Sequence, residues 1–208
     1  MAEYFDISPA LSLNTPAWPT DPPLVFEEYK SISQGGGSNV TKLTLGSHAG
    51  SHVDAPLHFF PGGTSVDKLS LDVLIGEVLV IEVADDKIDR SALEGALGDD
   101  LVRRLLFKTK NSTLWSNPEF VPDFVGLTAD GAEYLVKSGV ELVGIDYLSI
   151  EAAHGTGAPA HLALLENKII IVESLNMSGV APGKYELICL PLKLENVDGA
   201  PARVVLRK

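Results

Sequence analysis

The chain has 208 residues, of which 45% are apolar and 21% charged, and its formal net charge is −12. That length suits one domain with a sizeable core, and that balance excludes a disordered chain. The acidic surplus argues against nucleic acid or an anionic membrane as partner, since both need clustered Lys and Arg.

The N-terminal stretch "MAEYFDISPAL" has no basic segment followed by an apolar one, and no apolar run is long enough to span a bilayer. Both features point to a cytoplasmic protein. Residues 24–32 and 40–45 read as strands around the flexible loop "SQGGGSN". Residues 77–83, "EVLVIEV", are rich in β-branched side chains, as strands are. "SALEGAL" opens with Ser91 and Glu94 at capping-box spacing, which predicts a helix capped by Ser91. The basic residues from Arg103 to Lys110 are interrupted by "LLF" and read as strand flanks, not a phosphate site. "TADGAEYLVKSG" offers Thr128 as an N-cap and Gly139 as a stop. Residues 142–145, 169–172 and 188–192 are continuous apolar runs, which suit strands covered on both faces. "PAHLALLEN" places Pro159 in a first helical turn. Cys189, the single cysteine, lies in "LICLPL" and reads as a buried, inert thiol. Residues 203–206 close the chain as a strand. The alternation through residue 172 is β-α-β-α-β. The whole, residues 1–208, reads as one mixed α/β domain in which sheet predominates.

Three of the five histidines, His48, His52 and His58, fall within "SHAGSHVDAPLHFF", with Asp54 among them. Gly46, Gly50 and Pro56 oppose a helix here. In an extended chain, positions 48, 52 and 54 share parity and leave the same face, continuing the small, polar face of the strand before them. Pro56 bends the path before His58. Two imidazoles and a carboxylate on one face form a transition-metal site, open to zinc, iron, nickel, copper or manganese. Three protein ligands leave a position for water, as catalytic sites do. Ser47 and Ser51 lack the G-x-S-x-G setting of a nucleophile. Glu173 ends the apolar run "KIIIV", where a buried carboxylate wants a charged partner or a metal. Asp146 and Ser149 either orient ligands or cap a strand end. His154 either lines a pocket or faces solvent. Trp18 alone would read as core. The place of "KNSTLWSNPEF" does not follow from local pattern.

"HAGSHVDAPLH" resembles the H-x-G-T-H-x-D-x-P-x-H signature of the cyclase family, which includes bacterial kynurenine formamidases and isatin hydrolases; Ser51 replaces the threonine. "PAWPTDPP" resembles the family's P-x-W-P-G-D-x-P segment with Thr20 for glycine, and "LVGIDYLSIE" its G-x-D-x-x-S-x-D stretch with Glu151 in the last place. "HLALLENKIIIVESLNM" and "GAPARVVLRK" match later segments in the same order. The resemblance implies a swivelling β/β/α-type fold and a site for one or two divalent ions, zinc or manganese. His48, His52 and Asp54 would hold the first ion, and Asp54 would bridge to a second held by His161 and Glu173. His58 would be the catalytic acid/base and Trp18 a wall of the substrate pocket. Such ions lower the pKa of bound water from about 15.7 to near 7, so hydroxide is available at neutral pH. Two of them outweigh Asp54, Glu173 and a hydroxide, so the pocket suits a small anionic substrate. The implied activity is hydrolysis of an amide C–N bond, foremost N-formylkynurenine to kynurenine and formate. Lactam opening of the isatin-hydrolase kind is an alternative, and a non-catalytic metal-binding protein another. A homodimer or homotetramer is the implied assembly.

Overall fold

The computed structural model describes residues 2–98 and 102–208. In chain order the strands are β1 (Tyr4–Asp6), β2 (Val25–Lys30), β3 (Val40–Thr44), β4 (His52–Asp54), β5 (Ile75–Glu82), β6 (Arg104–Lys108), β7 (Leu142–Ile145), β8 (Ile170–Glu173), β9 (Gly183–Pro191) and β10 (Gly199–Arg207). The α-helices are α1 (Leu71–Leu74), α2 (Arg90–Leu97), α3 (Ala129–Lys137) and α4 (Pro159–Glu166). No helix of the described residues is long and apolar enough to cross a membrane.

Seven strands close a ring in the order β10-β4-β8-β7-β6-β5-β9, with β9 returning to β10, and β1 lies along β10. Strands β5, β6, β7 and β8 run parallel. Helices α3 and α4 supply two of their crossovers, as parallel neighbours require. Alternation along each strand divides the core. Leu106, Leu142, Ile170 and Val172 pack inside the ring with Val53, Leu187 and Val204. Leu105, Phe107, Val143, Ile145 and Ile171 face outward beneath Leu93, Leu135 and Leu164 of the three longer helices. The expected mixed, sheet-dominated α/β architecture is what forms. Cys189 sits inside the ring, where burial pushes its thiol up to about 12.

Local expectations fare unevenly. Thr128 caps α3 by accepting from the Gly131 amide, and Gly139 ends it with φ of 75°. For α2 the cap is Asp89, whose carboxylate accepts from the Ala92 amide, while Ser91 donates to Asp89 and Glu94 pairs with Arg90. The expected Ser91 cap lies too late in the chain, because the stronger acceptor stands two residues earlier. Strand β9 starts at Gly183, five residues before the apolar run, since its polar half pairs with β5. Strands β2 and β3 form a separate two-stranded ribbon in which every strand residue is exposed. The polar face of β3 thus does not continue into the histidines; it ends at Thr44, and a turn intervenes.

Candidate metal centre

The site lies at one end of the ring, where β4 and β8 run antiparallel. His52 pairs with Glu173 in register, so the two side chains leave the same face. Asp54, two residues on, shares that face. His48 does not come from the strand, as shared parity suggested. It enters from the turn before β4, where Gly50 takes a φ of 64°. Close approach of β10 seats it: a Cβ on Gly199 would stand 2.9 Å from the His48 ring. His58 follows on a short 3-10 turn, Pro56–His58, which stacks it against His48 at 4.0 Å between centroids. His161 is in the first turn of α4 and stacks on Phe59.

Each of the three deepest imidazoles is anchored through one nitrogen and turns the other inward. His52 Nδ1 donates to the Gly50 carbonyl at 2.8 Å, His161 Nδ1 to Glu151 at 2.9 Å, and His48 Nε2 to Asp198 at 2.7 Å. The inward atoms meet two buried carboxylates. His48 Nδ1 lies 2.8 Å from Asp54 Oδ1, and His52 Nε2 lies 3.3 Å from both Asp54 and Glu173. His161 Nε2 lies 3.2 Å from Glu173 and 3.9 Å from Asp54. His52 Nε2 is buried and meets neither carboxylate with hydrogen-bond geometry. An orphaned imidazole nitrogen aimed between two carboxylates is the donor set of a divalent transition metal, so these residues fit the ion that the sequence implies.

The metal-free electrostatics agree. Burial opposes charge on His52, but the Asp54 and Glu173 carboxylates, each 3.3 Å from its Nε2, outweigh it and raise its pKa to about 10. Burial likewise opposes charge on His161, and Glu151 and Glu173 raise it to about 10. Protons hold the place of cations between the carboxylates. Asp54 is kept ionised well below the usual range: burial pushes its pKa up, and His48 and His52 pull it down further. His58 differs, because burial dominates and lowers its pKa. It is therefore neutral at pH 7.

Trp18 lines a cavity of about 340 Å³ together with His48, His52, His58, Phe59, His161 and Glu173. The Trp18 ring rests edge-on against Phe120. Asp146 does not reach the centre. It accepts from the amides and hydroxyls of Thr109 and Ser112 and so ties down the 3-10 segment Lys110–Ser116, whose place the sequence left open. Ser149 touches none of the imidazoles through a hydrogen bond; its hydroxyl accepts from the Glu151 amide. His154 is exposed and pairs with Asp123 at the surface. The anchoring roles considered for Asp146 and Ser149 belong instead to Glu151 and Asp198, which sequence reasoning missed. Glu151 had a signal, since it ends the family-like stretch "LVGIDYLSIE". Asp198 is 150 positions from His48, and no local pattern joins them.

Glu151 also accepts from the Ala160 and His161 amides, capping α4 where Ala158 has no side-chain acceptor. Its backbone leaves no room nearby: a Cβ on Gly126 would stand 2.3 Å from Ala152 N and 2.8 Å from Glu151 C. Gly126→Ala is expected to cost about 1–3 kcal/mol by chemical denaturation. It should also weaken metal retention, because Glu151 must move to relieve the clash.

The Cyclase family model matches residues 5–152. A kynurenine formamidase from Bacillus cereus is 36% identical over 207 residues, covering 99% of this chain and 98% of that protein. Cyclase-like protein 1 from Arabidopsis thaliana is 38% identical over 217 residues, covering 99% and 85%. Among solved structures, a potential metal-dependent hydrolase with cyclase activity has a TM-score of 0.86 and 29% identity, with 100% of this chain and 98% of that one covered. An isatin hydrolase bound to the product analogue thioisatinate has the same fold, at a TM-score of 0.86, 23% identity, and coverage of 100% and 92%.

Proposed function

The chain belongs to the Cyclase family, and we propose that residues 1–208 act as one metal-dependent hydrolase domain that cleaves the formamide bond of N-formylkynurenine, giving kynurenine and formate. The observation that carries this reading is the convergence of three inward imidazole nitrogens on Asp54 and Glu173, beside a cavity walled by Trp18 and Phe59.

His48, His52, Asp54, His161 and Glu173 would hold one or two divalent ions, zinc or manganese. Bound there, such an ion polarises a carbonyl and lowers the pKa of water. The remaining work falls to the chain. Trp18 and Phe59 offer apolar faces to an aryl ring in a cavity of small-ligand size. His58 is neutral, and its Nδ1 faces Asp198 at 3.4 Å, which leaves Nε2 free to take a proton from the attacking water and pass it to the departing nitrogen. His58→Ala is accordingly expected to keep its metal and lose about 10²–10⁴-fold in kcat. Unchanged turnover in that variant would remove His58 from the mechanism.

The deciding assay uses chelator-stripped protein reloaded with zinc or manganese. Its substrates are N-formylkynurenine, other aryl formamides, and isatin for lactam opening. Turnover of an aryl formamide is expected. If the loaded protein turns over no amide or lactam, the centre serves binding alone.

The ribbon of β2 and β3 supports a homodimer. Val25, Phe26, Tyr29, Ile32, Val40 and Leu43 are exposed on or beside it, and a lone two-stranded hairpin is marginal in water. Its base carries Leu24 and Gly46, which line the catalytic cavity. A second copy is its occupant, and light scattering should give twice the chain mass or a multiple of that; a monomer at micromolar concentration would refute the assignment. A lone, buried, unpaired Cys189 suits a cytoplasmic setting.

A further inference from the structure

We propose that Asp198 is a positioning residue whose carboxylate fixes the tautomers of two site imidazoles at once, His48 and His58. The inference rests on the reading of His48 as a ligand and His58 as the proton carrier. His52 and His161 each have an anchor of their own, the Gly50 carbonyl and Glu151. Asp198 serves the other two: its Oδ2 hydrogen-bonds His48 Nε2 at 2.7 Å and faces His58 Nδ1 across 3.4 Å, at ion-pair distance. The stacking of the two rings at 4.0 Å is what lets one oxygen serve both.

An ionised carboxylate only accepts. His48 Nδ1 faces an ionised carboxylate as well, Asp54 at 2.8 Å, so it is when a cation takes Nδ1 that the single proton of His48 sits on Nε2, against Asp198. The carboxylate that faces His58 Nδ1 favours the proton of that ring on Nδ1, which leaves the Nε2 lone pair for the reacting groups. This is the service that a buried aspartate gives a catalytic histidine in serine hydrolases, here extended to a metal ligand as well. Asp198 is itself held in place. Its backbone carbonyl accepts from the Ala55 amide at 2.9 Å, and the Ser47 hydroxyl lies 3.3 Å from each of its carboxylate oxygens. Gly199, next in the chain, gives the His48 ring its room.

Asp198→Asn is the test. It keeps the shape at a partly exposed position but replaces the anion with a neutral amide, whose oxygen accepts more weakly and whose nitrogen donates, so neither ring proton is held as firmly. Zinc affinity, measured by chelator competition, is expected to fall about 10–100-fold. At saturating zinc, kcat on an aryl formamide is expected to fall by a similar factor with KM within twofold. In a His58→Ala background the same change should leave the residual kcat unaltered and still weaken zinc, while Asp198→Glu should restore zinc affinity in part. Nitrogen NMR of the zinc-loaded wild type should report His48 as the Nε2–H form and His58 as the Nδ1–H form. Zinc affinity within twofold of wild type in Asp198→Asn would overturn the proposal. So would His58 as the Nε2–H form, a measurement on the wild type that holds even if the variant fails to fold. Neither readout requires turnover, so both decide the role of Asp198 even where the substrate assignment is wrong.

Discussion

Asp54→Ala is expected to lose metal and activity together, with turnover down by more than about 10³-fold at any attainable metal concentration. Asp54 is the one residue common to the two clusters of side chains close enough to share a cation among the described residues, His48 with Asp54 and the neighbouring His58, and His52 with Asp54 and Glu173. It sits on β4 with 1% of its surface exposed, hydrogen-bonded to His48 and facing His52 and His161. Removing it leaves inward nitrogens on three imidazoles and a single carboxylate, Glu173, to hold charge. The Glu173 carboxylate cannot substitute, because it already accepts from the Ile150 amide at 2.6 Å and faces His161. Asp54→Asn keeps the volume and separates packing from charge; it should fold and still fail to hold metal. Elemental analysis after gel filtration is the check. Full metal stoichiometry in Asp54→Ala would break the bridging assignment, whatever the activity.

How far the site could be read in advance follows from where each ligand sits. His52 and Asp54 lie two apart on one strand, so strand parity alone places them together. The same parity argument misplaced His48, because Gly50 takes the chain through a left-handed turn that local pattern does not announce. His161 and Glu173 belong to a helix start and a strand end twelve residues apart, and only resemblance joined them to the first group. The strands of continuous apolar residues, β7 and β8, were legible because burial on both faces leaves them no polar positions. Closure of the ring was not. It depends on β9 pairing with both β5 and β10, a long-range choice set by shape and not by composition. Asp198 escaped for a related reason: an anchoring carboxylate is defined by the ring it touches, and neither its neighbours nor its spacing mark it, whereas Glu151 was marked only by the family-like stretch that it ends.

Metal uptake by the stripped protein is expected to release protons, with affinity rising about a hundredfold per pH unit near neutrality. In the metal-free centre His52 and His161 have pKa values raised to about 10, so at pH 7 both are protonated. Each must lose that proton before its inward nitrogen can bind a cation, and two protons displaced give two factors of ten per unit. Calorimetric titration in buffers of different ionisation heat counts them directly. The stability of the stripped protein should move the other way. Protonated His52 and His161 contribute stability that is fully present below their ordinary value of 6.5 and is lost as pH rises through about 10. The depressed values of Asp54 and Glu173 contribute stability present above the ordinary carboxylate range and lost as pH falls below it. The stripped protein should therefore melt highest between about pH 4.5 and 6.5 and lose midpoint steadily toward pH 10, while the loaded protein gains relative to it across the same interval. Buffer-independent binding heats, or an affinity that is flat between about pH 6 and 8, would mean that the imidazoles enter the metal-free state already neutral. The carboxylates they face would then need another source of compensating charge.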